Sequence, residues 1–283
     1  MLTLLWLLAA VPLASAADHV RRAGGFAERY DGFNSTSTSI QSIPTLIPYQ
    51  SNPKCSYWLE DIKHQGIAPF QNDSSYQVFR NVRHYGAYGD GVHDDTAAIN
   101  LAISTPGNRC APGLCNSTTT SPAVVYFPAG TYKVSSDIID YYYTSLLGNP
   151  NCLPTIKVAS NYTGAFVIDG DLYGANGLSY GATNVFWRQI RNFIIDTTSV
   201  SANTSAIAIH WPTGQATSVT NVVFNLNAQP GTQHVGLFIE SGSGGFLSDL
   251  VFYGGLYGCN FGNQQFTSRN FTFYNTVTAI NQL

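Results

Sequence analysis

At 283 residues the chain is long enough for one large all-β domain or two small ones, and only 10% of it is charged. A formal net charge of −3 leaves no basic face for a nucleic-acid partner. With 26 Gly, 17 Tyr, 16 Phe and a single Met, the composition favours aromatic-rich strands joined by tight polar turns over a helical bundle.

Leu2 to Leu13 is apolar apart from Thr3 and Pro12, and Ala14-Ser15-Ala16 supplies a small-x-small cleavage pattern. Residues 1–16 therefore read as a secretory signal peptide, too short and too poorly flanked to span a bilayer. No second long apolar run follows, so a secreted, extracellular protein without a membrane partner is expected. Residues 17–54 read as a flexible Ser/Thr/Pro-rich arm, in which Arg21-Arg22 is either a pro-segment site or a pair of loose arginines. Asn-x-Ser/Thr sequons at Asn34, Asn72, Asn116, Asn161 and Asn203 are expected to carry glycans, whereas the one at Asn270 falls where a coil interior is expected.

The folded domain is expected over residues 55–283. Tyr76 to Tyr85 reads as a strand, and Gly89-Asp90-Gly91 as a tight turn. Asp94 or Asp95 can then N-cap a helix through Ser104, with Ala98, Leu101 and Ala102 on one face. Thr105 to Pro122 is a loop, and Cys110 and Cys115 are close enough within it to form a local disulfide. Five cysteines leave at least one thiol unpaired within the chain. Without a second close Cys or His pair beside Cys110 and Cys115, zinc is not expected; no cofactor is expected either. Val124–Phe127, Pro128-Ala129-Gly130 and Thr131–Val134 read as strand, turn, strand.

A repeat follows. The polar-apolar-x-apolar strands containing Asn192, Asn221, Asp249 and Asn270 recur every 21 to 29 residues. Such spacing marks a solenoid in which one coil cannot bury its own inward side chains, so stacked Val, Ile, Leu and Phe must form a common column. Asn at equivalent turns can bridge neighbouring coils by amide ladders. A β-sandwich with similar strands is the competing architecture, and the helix and glycine turn ahead of the repeat favour the solenoid. The last repeat ends about ten residues before Leu283 without a polar capping coil, so the solenoid is expected to be incomplete at that end.

Glycoside hydrolysis needs one carboxylic acid to protonate the leaving oxygen and a second group to activate water or attack the sugar. Beyond residue 150 the only carboxylates are Asp169, Asp171, Asp196, Glu240 and Asp249. Asp94 and Asp95 read as helix caps, Asp196 and Asp249 as positions of the repeat, and Asp169-Gly170-Asp171 as a turn. Glu240 ends the apolar run Val235–Ile239 before a glycine-rich loop and is the best single catalytic candidate, although a surface role is the commoner outcome. Gln233, His234, Ser243, Asn263, Gln264 and Gln265 offer polar groups for sugar hydroxyls, and Trp211 and Tyr257 offer apolar faces for pyranose rings. No nucleophile elbow surrounds Ser243, and Gly242 to Gly245 lacks the lysine and spacing of a phosphate loop.

Several blocks carry a resemblance: Tyr57 to Ile62, Gly89-Asp90-Gly91 with Asp94-Asp95-Thr96, and Val125 to Tyr132. Further on come Ile168 to Asp171, His210 to Thr213, Gly231 to His234, Gly242 to Gly245 and Asn263 to Phe266. From Tyr57 onward the chain resembles the N-terminal half of the fungal-type exo-β-1,3-glucanases of glycoside hydrolase family 55. The resemblance implies a single-stranded right-handed parallel β-helix of the pectate-lyase type with a short N-terminal helical cap. It further implies a second β-helix half as partner, β-1,3-glucan as substrate, exo action with inversion and no metal. The proton-donating glutamate of that family lies on the second helix and matches no position here. A share in sugar binding or water positioning is implied for Gln233, His234, Ser243, Gln264 and Gln265. A pectin-active polygalacturonase or lyase on the same fold and a non-catalytic glucan-binding module are the alternatives. The first lacks a paired Asp motif with a nearby Gly-His-Gly or Arg-x-Lys.

Overall fold

The computed structural model describes residues 53–106, 109–263 and 265–283. The expected signal peptide, residues 17–52 of the expected arm, the sequon at Asn34 and the expected sugar ligand Gln264 lie outside the described residues.

The chain winds as a right-handed parallel β-helix. Each later coil lays one short strand in a six-stranded sheet and one long strand in a ten-stranded sheet. Ala206–His210 leads to Thr217–Asn225, His234–Ile239 to Gly245–Tyr253, and Tyr257–Phe261 to Phe266–Tyr274. All pairings between coils are parallel and like positions stack, as in Phe193, Val222, Leu250 and Phe271.

One backbone device shapes every long strand. Asn192, Asn221, Asp249 and Asn270 occupy the same register and all have left-handed φ, between 53° and 66°. Strict alternation would send residues 190, 192 and 194 to one face. The left-handed residue shifts the phase, so Ile190, Phe193 and Ile195 all turn inward and are fully buried. Val219, Val222 and Phe224 repeat the pattern, as do Leu247, Leu250 and Phe252. Asparagine and aspartate tolerate this conformation better than other residues with a Cβ.

The expected amide ladder is present: the Asn221 Nδ2 donates to Asn192 Oδ1 at 2.9 Å, and the Asn270 Nδ2 donates to Asp249 Oδ1 at 2.6 Å. Asn270 is therefore exposed on the outer bend, not in the coil interior, because the left-handed turn points its side chain outward. Inside, Phe224, Phe252 and Phe273 stack at centroid separations of 4.5 and 4.9 Å. Each buried ring contributes about 1.5–3 kcal/mol through burial, and a stacked pair about 0.5–1.5 kcal/mol more. An exposed ladder bond contributes about 0.5–1.5 kcal/mol, so packing dominates and the ladder sets register.

In the earlier coils the bend is a true break. Ala123–Phe127 and Thr131–Val134 are separate strands, as expected, and so are Thr144–Gly148 and Thr155–Val158. Thr144–Gly148 pairs with the first half of Arg188–Asp196, and Thr155–Val158 with its second half.

Residues Tyr76 to Tyr85 differ from the single strand expected. Only Phe79–Asn81 is extended, and Val82–Tyr85 forms a 3-10 turn. Asn81 Oδ1 accepts from the Arg83 amide, and Gly86 closes the turn at φ 102°. The helix runs from Thr96 to Ser104. Asp94 Oδ1 accepts from the Thr96 amide at 3.0 Å, while the Asp95 carboxylate accepts from the Tyr88 and Gly89 amides and ties the glycine turn to the helix. The buried helix face is Ile99, Ala102 and Ile103, and Leu101 is 52% exposed. The larger Ile pair, one turn apart, wins the core over Leu101.

Cys110 and Cys115 form the expected disulfide, and Cys55 bonds Cys152. Cys259 is the free thiol, buried among the core side chains. Among the described residues no helix is long and apolar enough to cross a membrane.

If left-handed φ at the bend is the controlling constraint, Asn221→Gly should cost only the ladder bond, about 0.5–1.5 kcal/mol. Asn221→Ala should cost a further 1–2 kcal/mol or so from the strained backbone. Urea unfolding of the two variants decides this, and equal losses would contradict it.

Candidate functional site

The six-stranded sheet has an outer face that is unusually apolar. Phe166, Val235 and Phe238 are buried there, with Ile207, Tyr173 and Tyr257 packed around them. Tyr173 reaches the cluster from a two-stranded ribbon, Tyr173–Gly174 against Gly177–Leu178, that follows Asp169-Gly170-Asp171. Gly170 is needed for that path, since a Cβ there would lie 2.6 Å from the His210 carbonyl oxygen.

At the C-terminal ends of three stacked strands the chemistry becomes ionic. Parallel register places His210 beside Asp169 on the preceding coil and Phe238 on the next. The His210 ring is fully buried, with Phe166, Tyr173 and Phe238 stacked around it at 4.2, 5.4 and 5.5 Å. Its Nδ1 lies 2.8 Å from Asp169 Oδ1 and its Nε2 lies 2.9 Å from Glu240 Oε1. The Tyr173 hydroxyl donates to the same Glu240 oxygen. Asp169 is buried, whereas the Glu240 side chain is 14% exposed. Glu240 is thus the point at which a buried Asp–His–Glu chain meets solvent.

Burial alone would push the imidazole towards neutrality, but the two carboxylates outweigh it and hold His210 up at about 9. Burial likewise opposes the Glu240 carboxylate, yet the hydrogen bond and charge of His210, with the Tyr173 hydroxyl, leave it below its ordinary value. At neutral pH the pair is imidazolium and carboxylate. Glu240 is therefore equipped to accept a hydrogen bond or a proton, not to donate one to a leaving group.

Two further acids lie deeper. Asp171 Oδ1 accepts from the Tyr180 amide, and the Asp171 amide donates to Asp169 Oδ1. Asp140 sits 3.8 Å from Arg188. Burial pushes both carboxyls up to about 6. The Asp169-Gly170-Asp171 turn thus supplies an ionic partner as well as a chain reversal.

The structure separates the residues that sequence grouped together. Gln233 is exposed and its amide nitrogen donates to the Gly231 carbonyl. His234 is fully buried: Nε2 donates to the Ser201 carbonyl, so Nδ1 accepts, from the Thr197 hydroxyl at 2.7 Å. Burial depresses its pKa, and with both nitrogens committed it fastens a loop rather than facing a sugar. Both residues stand at the opposite end of the strand His234–Ile239 from Glu240, about 20 Å away along extended chain.

Ser243 does lie in the connection that begins with Glu240. It is half-buried, and its Oγ is 3.3 Å from Gln215 Oε1. Asn263 Nδ2 donates to the Gly242 carbonyl, and Gln265 is exposed on the next turn. Trp211 is fully buried in the main core and presents no face to a pyranose ring, while Tyr257 is half-buried in the outer cluster. Sequence reasoning missed His210 as a functional residue. Its signal is a register relation to Asp169, invisible until the coils are aligned.

The family model for rhamnogalacturonase A/epimerase, pectate lyase-like proteins matches residues 79–283. A glucan 1,3-beta-glucosidase of Cochliobolus carbonum is 50% identical over 229 residues, which cover 80% of this chain and 29% of that protein. A protein of Arthroderma benhamiae described as "Probable glucan endo-1,3-beta-glucosidase" is 52% identical over 246 residues, covering 84% of this chain and 27% of its own length. The chain thus spans less than a third of these relatives. Among solved structures, the A-module of mannuronan C-5 epimerase AlgE4 of Azotobacter vinelandii aligns with a TM-score of 0.43 at 19% identity, covering 71% of this chain and 59% of that one.

The ionic chain has a definite pH signature. His210, raised to about 9, contributes stability that is complete below its unfolded value near 6.5 and lost as pH rises through 9. Glu240, lowered from 4.5, contributes stability present above 4.5 and lost as pH falls through its lowered value. Glu240→Gln removes one of the two carboxylates facing the ring. The alkaline fall in Tm, and the imidazole titration seen by NMR, should then move below 9. A midpoint that stays at 9 in the variant would contradict the pairing.

Proposed function

This chain belongs to the rhamnogalacturonase A/epimerase, pectate-lyase-like family, and on that premise we propose that it is part of a secreted glycoside hydrolase acting on β-1,3-glucan. The observation that carries this is identity at half of the aligned positions, over 80% of the chain, with a glucan 1,3-beta-glucosidase. Export follows from the signal pattern over residues 1–16, and the sequons at Asn72, Asn116, Asn161 and Asn203 all lie on exposed residues, as glycan acceptors must. Exo action with inversion follows from the resemblance to family 55.

Within this function Glu240 has the part of a sugar-facing carboxylate. The imidazolium of His210 and the hydroxyl of Tyr173 occupy Oε1, which leaves Oε2 to accept from a glucan hydroxyl or from water. No carboxyl among the described residues is assigned as proton donor. Asp140 and Asp171 have suitably raised values near 6 but are about 1% exposed, too enclosed to reach a glycosidic oxygen. Asp137, also pushed up to about 6 by burial, is partly exposed, but it binds the Tyr162 hydroxyl and precedes the strand Ile138–Ile139, at the opposite strand end from the Glu240 site. The resemblance to family 55 supports an acid carried by a second β-helix.

The test is a comparison of laminari-oligosaccharides and oligogalacturonides with the purified chain, by calorimetry and by reducing-sugar release. The chain should bind the former, release no appreciable glucose from laminarin, and lose about tenfold in affinity on Glu240→Gln, a change of about 1.4 kcal/mol. Selective binding of oligogalacturonides would overturn the substrate. Glucose release at a full enzyme's rate would overturn the placement of the acid.

A further inference from the structure

A second left-handed column runs along the β-helix, at the residue that immediately precedes four strands of the ten-stranded sheet, Thr144–Gly148, Arg188–Asp196, Thr217–Asn225 and Gly245–Tyr253. By continuation of the strand register it contains Tyr143, Trp187, Ala216 and Gly244 on successive coils. Their φ values are 56°, 56°, 58° and 113°. Gly244 fits without strain, whereas Ala216 already bears the strain that any Cβ meets in this region. Tyr143 and Trp187 do not fit: a bulky aromatic residue in this region is a true outlier, where Gly or Asn would serve the turn at lower cost. Backbone strain of this kind gathers at ligand-binding positions.

The aromatic group lies partly against the buried cluster of Cys110, Tyr142, Tyr180 and Val185 and partly at the protein's exterior. The Trp187 and Tyr143 rings lie 5.3 Å apart, and Phe186 adjoins Trp187 at 5.8 Å. Trp187 remains 40% exposed. On the next two coils the column drops to Ala216 and Gly244, both far smaller than the indole. Polar groups border that step: Gln215 precedes Ala216 and is exposed, and Ser243 precedes Gly244 with its hydroxyl 3.3 Å from the Gln215 side chain. Gly214 closes the ledge, because a Cβ there would lie 2.9 Å from the Phe186 ring and 3.1 Å from Ser243 Oγ. An apolar ring face beside hydroxyl and amide groups is the chemistry that recognises a pyranose.

We propose that Trp187, supported by Tyr143, is a stacking platform for one pyranose ring of a bound glycan, with Gln215 and Ser243 bonding its hydroxyls. The connection that ends at Gly244 begins at Glu240, so platform and carboxylate belong to one binding surface. The identity of the sugar as a β-1,3-glucan rests on the function proposed above; the platform itself does not.

Trp187→Gly and Trp187→Phe separate binding from folding, with laminarihexaose and hexagalacturonate as probes in calorimetry and Tm as the stability readout. Trp187→Gly relieves the left-handed strain, so Tm should stay level or rise by about 2–4 °C while affinity falls tenfold or more. Trp187→Phe should keep most of the affinity. Unchanged affinity in Trp187→Gly, or no binding of either hexasaccharide by the unaltered chain, overturns the platform. Binding of hexagalacturonate alone, lost in Trp187→Gly, upholds the platform and overturns the glucan assignment.

Discussion

A parallel coil must turn its strand at the same place on every rung and still send its apolar side chains inward. The left-handed residue at Asn192, Asn221, Asp249 and Asn270 meets both demands. It bends the strand, and its phase shift converts an alternating pattern into one with Phe193 and Ile195, or Val222 and Phe224, on the same side. Without that shift half of these side chains would face water, and the phenylalanine column through Phe224, Phe252 and Phe273 could not form. Core, register and the outward position of the ladder all depend on this single backbone choice.

The same stacking explains how the ionic site is assembled. Asp169, His210 and Glu240 are far apart in sequence, but coil winding brings the ends of consecutive strands together. A histidine fully buried among aromatic rings would ordinarily be neutral. Here the acids on the coils before and after it reverse that outcome, and the pair tolerates burial because each nitrogen has a carboxylate partner. The consequence reaches the surface: Glu240 has a fixed position and a fixed charge.

The solenoid was legible from sequence because its cause is local. A ladder position recurs with the same apolar residues after it, and the stacked strands reproduce that pattern rung by rung. The helix through Ser104 and the Cys110–Cys115 bridge were legible for the same reason. What depended on register was not. His234 looked like a sugar ligand beside Gln233, yet its alternation phase turns it into the wall, where Thr197 and Ser201 take both nitrogens. Trp211 looked like a platform, yet it falls on an inward position and is wholly enclosed. Asp169 looked like a plain turn residue because its partner lies a whole coil ahead, and the Cys55–Cys152 bond spans 97 residues for which no spacing rule exists.

Comparing the two left-handed columns sharpens the functional argument. Along the outer bend the chain uses Asn and Asp, residues that accept the conformation and reward it with side-chain bonds between coils. Along the left-handed turns at Tyr143, Trp187, Ala216 and Gly244 it uses Gly and Ala in two coils, but Tyr and Trp in two others. Core packing accounts for Tyr143 and Phe186, which lie against the buried cluster of Cys110, Tyr142, Tyr180 and Val185, whereas Trp187 is 40% exposed. Strain borne by the bulky, partly exposed Trp187, in the coil whose outer bend uses Asn192, therefore points beyond folding to something the indole touches. The second column also ends, at Gly244, the connection that carries Glu240 and Ser243, which joins an aromatic surface to a negative charge. Apolar ring faces next to hydroxyl-binding groups and one anchored carboxylate form a surface suited to a neutral, hydroxyl-rich chain, and poorly suited to a polyanion.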